Sequence, residues 1–296
     1  MAEEKNVKVT YFDKKSIACP ACSREFQREV LMSGSGRLIA GKLTDELRRL
    51  YQPSKKYGRI NPLVYPVVVC PDCLYAAFPE DFSRLSEKST DKMREFTDRR
   101  IQLVMQSVGP VDFSETRDDR AGAASYILAT SCYSFFDKSI SPTVKRGLCC
   151  LRGAWVLNDM VENTEPGEDR DRYAWVSNIL YHKAYKFYSD ALDLYQKKVE
   201  TIEGIALGPD TDKNWGYEGF LYTVSQLCLK LGFTEDDLEK RAMSYLGTKR
   251  IIAKLFGSGK ASKSKPSEIL DMSRILYDKL DAYVKEIEET LGKKFE

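Results

Sequence analysis

The sequence predicts a mainly α-helical protein: a small β-rich N-terminal domain stapled by four cysteines, followed by a stack of helical hairpins. Three observations carry this. Two Cys-x-x-Cys pairs stand near the N-terminus, short extended apolar runs broken by glycine and proline continue to about residue 80, and apolar residues then recur at three- and four-residue spacing to the end.

In the first segment Val7, Val9 and Tyr11 alternate with polar residues, and Leu63 to Val69 is a nearly continuous apolar run. Gly34, Gly36, Gly41, Pro53, Gly58 and Pro62 punctuate the segment, so short strands are expected, with one or two helical turns around Thr44 to Tyr51. From about Pro79 the spacing predicts helices near 87–107, 114–137, 142–163, 171–203, 216–231, 234–256 and 266–292. Their start signals include Ser114, Thr234 with Asp237 three residues later, and Ser267 after Pro266.

Within the helical part, Gly147-x3-Leu151-x2-Ala154 and Ala184-x3-Tyr188-x2-Ala191 repeat a small, large, small face, and Tyr126-x2-Ala129-Thr130-x2-Tyr133 looks like a partner helix. These spacings resemble helices of tetratricopeptide repeats, where a small residue admits the paired helix and an aromatic fills the gap, although the usual period of about 34 residues is not kept. The polar run 257–266 reads as a flexible linker. Beyond it, Ile269, Met272, Leu276, Leu280, Tyr283, Ile287 and Leu291 form one stripe, expected to dock as a cap, with a dimer contact or partner site as the alternative. The expected domains are 1–80, 81–256, the linker 257–266 and the C-terminal amphipathic helix 267–296.

The balance of 46 Lys and Arg against 44 Asp and Glu leaves a net charge of +2, which gives no general attraction to nucleic acid or to anionic membrane. No charged-then-apolar leader opens the chain and no apolar run approaches a membrane span, so a cytoplasmic protein is expected. Eight cysteines in a reducing compartment point to metal binding or packing instead of disulfides.

Cys19-x2-Cys22 and Cys70-x2-Cys73 carry the clearest chemical signal. Each spacing fits a tight turn that aims two thiolates the same way, and two such turns supply four soft ligands in a tetrahedron, the zinc-ribbon arrangement. A rubredoxin-like iron site uses the same ligands, so zinc is favoured with iron open; a thioredoxin-like redox pair lacks the βαβ setting. Four thiolates leave no open position for water, so the metal is read as structural. The lone histidine, His182, is read as a helix-surface or packing residue, and Cys132, Cys149, Cys150 and Cys228 as small buried hydrophobes.

Catalytic and cofactor motifs fail on inspection. Gly257-Ser-Gly-Lys260 would need glycine where Lys254 stands and a hydroxyl where Ala261 stands, and Gly34-Ser-Gly36 meets Ile39 at the third glycine position. No catalytic or cofactor-binding residues are expected. Between the cysteine pairs, residues 23–69 hold nine Lys or Arg against four acids, interleaved with tyrosines. Arg48, Arg49, Tyr51, Lys55, Lys56, Tyr57 and Arg59 are therefore candidate contacts to nucleic acid or to a partner.

Cys-Pro-Ala-Cys-x3-Phe26, Arg37-Leu38, Thr44-Asp45, Leu47-Arg48, Tyr57-x2-Ile60-Asn61-Pro62-Leu63-x-Tyr65, Val69-Cys-Pro-Asp-Cys-x-Tyr75-Ala76-Ala77 and Leu151-Arg-Gly-Ala-Trp155-x3-Asp159 together resemble the bacterial domain-of-unknown-function family 2225. The resemblance implies a zinc-ribbon-like segment joined to tetratricopeptide-like helices. Ser23 and Leu74 depart from the glycine usual after the second cysteine of such knuckles. Asn61 is expected to bond local backbone in the turn leading to Cys70. The favoured function is a non-enzymatic interaction protein whose helical stack holds a protein or peptide partner, with nucleic-acid binding through 23–69 and cysteine-metal redox sensing as alternatives.

Overall fold

The computed structural model describes residues 8–206, 208, 215–256 and 267–295; the expected linker 257–266 lies outside them. The chain forms two compact units, Met1–Lys42 with Arg49–Thr201 and Leu43–Arg48 with Ile202–Glu296. The four-cysteine segment shares a unit with the helices that follow it, and the last helix shares the other with the two before it.

The first unit opens with short antiparallel ribbons. β1 (Thr10–Phe12) pairs with β4 (Glu29–Leu31), with Tyr11 opposite Val30. β2 (Ile17–Ala18) pairs with β3 (Glu25–Phe26), Ile17 opposite Phe26. The helical turns expected around Thr44 to Tyr51 are absent: β5 (Ile39–Leu43) and β6 (Arg49–Gln52) form a ribbon instead. Its turn closes because Leu47 takes a left-handed φ of 62° and the Thr44 hydroxyl accepts from the Arg48 amide at 3.1 Å, a local bond that outcompetes a helix. A 3-10 turn at Pro62–Val64 then leads to β7 (Val68–Val69), which pairs with β8 (Ala76–Ala77).

The helices of this unit are α1 (Glu87–Glu95), α2 (Thr97–Val108), α3 (Asp119–Cys132), α4 (Pro142–Asn163) and α5 (Glu168–Gln196). The run expected as one helix over 87–107 breaks at Phe96, whose ring meets Phe135 edge-on at 5.2 Å. α3 starts at Asp118, whose carboxylate accepts from the Ala121 amide at 2.8 Å, and not at Ser114. Proline fits the first turn of α4, where its missing N–H costs nothing. Ser141, held at φ 54°, makes no side-chain cap there. The buried Glu200 does that work from beyond the end of α5, accepting from the Thr143 amide at 3.0 Å and from Lys138 Nζ at 2.6 Å. α4 packs on both α3 and α5, and its glycines allow the approach: a Cβ at Gly153 would lie 3.1 Å from Leu180 and 3.2 Å from Tyr126.

In the second unit α6 (Gly216–Gly232), α7 (Leu238–Phe256) and α8 (Ser267–Leu291) pack on one another. Asp237, accepting from the amides of Glu239 and Lys240, opens α7 in place of Thr234, which bonds back to Leu231. Ile269, Leu276, Leu280 and Ile287 of the expected stripe are buried, while Leu291 stays exposed. The Leu43–Arg48 tip belongs here, with Leu47 buried and the Asp45 carbonyl accepting from Tyr222 Oη at 2.8 Å. No described helix is long and apolar enough to cross a membrane.

Candidate metal centre

The two cysteine pairs are built the same way, position for position. In the first, β2 and β3 flank Cys19 to Cys22; the Ser23 amide bonds to the Cys19 carbonyl at 2.8 Å and the Cys19 amide to the Arg24 carbonyl at 2.8 Å. In the second, β7 and β8 flank Cys70 to Cys73; the Leu74 amide bonds to the Cys70 carbonyl at 3.0 Å and the Cys70 amide to the Tyr75 carbonyl at 2.9 Å. Ser23 and Leu74, the residues standing where glycine is usual, take left-handed φ values of 66° and 55°. Each turn keeps its shape at a backbone cost of about 1–2 kcal/mol.

The knuckles face each other so that the four Sγ atoms all lie within 4.8 Å of one another, with Cys19 to Cys73 and Cys22 to Cys70 each at 3.6 Å. This is too long for a disulfide, whose sulfurs lie about 2.05 Å apart. It is close to the edge of a tetrahedron with metal–sulfur bonds of about 2.3 Å, roughly 3.8 Å. The donor set therefore fits a single tetrahedral ion. Cys19, Cys70 and Cys73 are buried and Cys22 is half-buried. The sulfurs perturb one another: hydrogen bonds from Cys19 and then Cys73 lower the Cys70 thiol, while Cys73, bonded to Cys19, and Cys19, bonded to Cys70, are pushed up.

Two arginines that no sequence pattern pointed to hold this centre from the helices. Arg94 of α1 donates to the Ala21 carbonyl inside the first knuckle. Arg100 of α2, 2% exposed, donates to the Cys73 carbonyl from Nε at 2.9 Å and from Nη2 at 2.6 Å, and to the Met93 carbonyl from Nη1 at 2.7 Å. Both lie in a helical stretch that reads as an ordinary charged face, and their spacing to the cysteines follows no local rule.

The other expected positions are scattered. Arg59 pairs with Asp159 at 3.1 Å and Asp119 at 3.7 Å, and Asn61 donates to the same two carboxylates at 3.2 and 3.1 Å while accepting from the Leu63 amide at 3.2 Å. Asn61 thus bonds local backbone as expected and also ties its turn to α3 and α4. Arg49 donates to the Gly41 carbonyl across its ribbon at 2.9 Å, and Lys56 lies 5.1 Å above the Tyr57 ring, which Arg37 also covers at 4.7 Å. Lys55 is exposed, Tyr51 half-buried, and Arg48 belongs to the second unit. His182 is exposed on α5, and Cys132, Cys149, Cys150 and Cys228 are buried, with burial raising the first three thiols.

Residues 12–280 match the family described as "Uncharacterized protein conserved in bacteria", domain of unknown function 2225. The chain belongs to this family. It is also 36% identical over 283 residues to an uncharacterized protein of Borreliella burgdorferi, covering 95% of this chain and 99% of that one. No solved structure matches it. In this member of family 2225 Asn61 and Asp159, far apart in sequence, meet in one hydrogen bond within the first unit.

Proposed function

We propose that this protein is a non-enzymatic cytoplasmic interaction protein. In this reading a structural zinc ion on Cys19, Cys22, Cys70 and Cys73 sets a zinc-ribbon-like segment against a tetratricopeptide-like stack that binds a protein or peptide. The observation that carries the structural role is the closed set of four thiol groups, three of them buried, which leaves no position for a reacting water. The buried Arg100 supports thiolate ligation. Its guanidinium meets carbonyl, hydroxyl and thioether acceptors, and a divalent ion in four thiolates provides the negative charge that a buried cation needs. Such an ion contributes on the order of 10–16 kcal/mol to folding of its segment at neutral pH.

Redox sensing is less well supported, because buried sulfurs meet oxidants slowly. Nucleic-acid binding through 23–69 is also less well supported, since Arg49 and Arg59 are engaged with the protein itself. The test is metal analysis by mass spectrometry on untagged protein purified without added metal, beside a Cys19→Ser/Cys70→Ser variant. One zinc per chain, lost in the variant together with folding of the N-terminal segment, is expected. Iron, or reactive thiols without metal, would overturn the zinc assignment.

A further inference from the structure

α2, α3, α4 and α5 enclose a groove of about 510 Å³ whose lining includes Arg99, Arg146, Lys183, Phe96, Phe135 and Phe187 and contains no aspartate or glutamate. In a chain with almost as many acids as bases, three cations around one concavity with no acid among its walls form a local field of one sign. None of the three is ion-paired among the described residues, whereas Arg59, Lys138 and Lys145 of the same unit each face a carboxylate.

Arg146 is held ready for an anion. Its Nε donates to the Thr130 carbonyl at 3.1 Å and its guanidinium lies 4.1 Å over the Phe187 ring, which fixes the planar head. Burial lowers its pKa from the ordinary value, outweighing the opposite pull of Cys150, Asp190 and Glu200. Arg99 and Lys183 are exposed beside it and free to close on a ligand.

We propose that this groove takes a short acidic segment of another protein, its carboxylates meeting Arg99, Arg146 and Lys183 and an apolar side chain resting among Phe96, Phe135 and Phe187. This rests on the reading of the helical stack as a partner-binding surface and names the chemistry of the partner. A peptide fits better than a nucleic-acid strand because the rings offer few free faces for bases. Phe187 is covered by Arg146, and Phe96 carries the edge of Phe135 at 5.2 Å and Arg99 at 5.7 Å. The volume suits a few side chains.

The experiment uses the full metal-loaded chain and fluorescence anisotropy with a short labelled peptide alternating glutamate with leucine and phenylalanine, its glutamine counterpart, and a deoxythymidine oligonucleotide. A random peptide library displayed on phage is selected in parallel. The glutamate peptide should bind at least about tenfold tighter than the glutamine one, weaken as salt rises, and lose about tenfold or more in Arg99→Glu/Lys183→Glu, whose two positions are exposed enough to leave folding intact. Equal binding of the glutamine peptide, indifference to the charge reversal, or tighter binding of the oligonucleotide overturns the proposal. If library peptides bind without acidic preference and survive the reversal, the groove assignment falls while the interaction reading stands; if no peptide binds, both fall.

Discussion

Gly147 on α4 lies so close to Tyr188 on α5 that a Cβ at position 147 would sit 2.4 Å from the ring's Cδ1 and 2.7 Å from Cε1. The ring is buried, so it cannot swing aside into solvent. Gly147→Ala should therefore destabilise the protein by about 1–2 kcal/mol: overpacking of about 1–3 kcal/mol outweighs the gain of up to about 1 kcal/mol in helix propensity. Gly247→Ala on α7, where nothing lies within 4 Å of the added methyl, should stabilise by about 0.5–1 kcal/mol. Urea midpoints of the two variants should move in opposite directions; a shared upward shift would mean that α4 and α5 sit further apart than described.

Ser23 holds a left-handed φ of 66° in an exposed turn, with no burial to compensate. Glycine there relieves the Cβ clash and should stabilise the metal-loaded protein by about 0.5–1 kcal/mol. Leu74 has the same backbone but is buried, so Leu74→Gly should lose more in apolar burial than it regains in strain. Thermal unfolding of the two variants separates the effects, and a destabilised Ser23→Gly would contradict the strain argument.

The small, large, small faces at Gly147 and at Tyr188 were legible because a helix places such residues on one side, but that Gly147 of one meets Tyr188 of the other was not implied by either spacing. The cysteine quartet was legible for a similar reason: each knuckle is a local turn repeated twice. The Thr44 to Tyr51 ribbon was not, because a single hydroxyl bond and one left-handed leucine decide it against the residues' helix propensity. Nor were Arg94 and Arg100, which matter only through knuckles at distant points of the chain, or the unpaired cations of the groove, contributed by helices that no spacing rule brings together.

Burial raises the phenol of Tyr65 to about 12 and also raises those of Tyr75, Tyr126 and Tyr188 above the ordinary value of 10.0. The folded state thus holds these protons more tightly than the unfolded chain. The stability so linked is complete below about pH 10 and is lost as pH rises through the folded values, from about pH 10 toward and beyond about pH 12. Urea midpoints should be flat with respect to these groups up to about pH 9 and fall steeply above about pH 10, with phenolate absorbance appearing together with unfolding. Phenolate absorbance that rises fully before unfolding begins would show the rings to be solvated.

Arg100 joins α2 to the second knuckle through two bonds to the Cys73 carbonyl and is itself almost completely enclosed. Arg100→Leu keeps most of the apolar stem but leaves the Cys73 carbonyl unpaired and, if the four cysteines hold a divalent ion as proposed, removes the buried cation beside them. Outer partners of this kind typically set metal affinity by about 10–100-fold. The variant should surrender its metal to a chromophoric chelator at correspondingly lower chelator concentration, whereas Arg99→Gln, one residue away and exposed, should retain metal like the parent. Because Arg100 also holds the Met93 carbonyl, metal removal from the parent should raise amide exchange in α1 and α2 before it does so in α4 and α5. Unchanged exchange in α1 and α2 would mean that helix packing alone, and not the centre, keeps them in place.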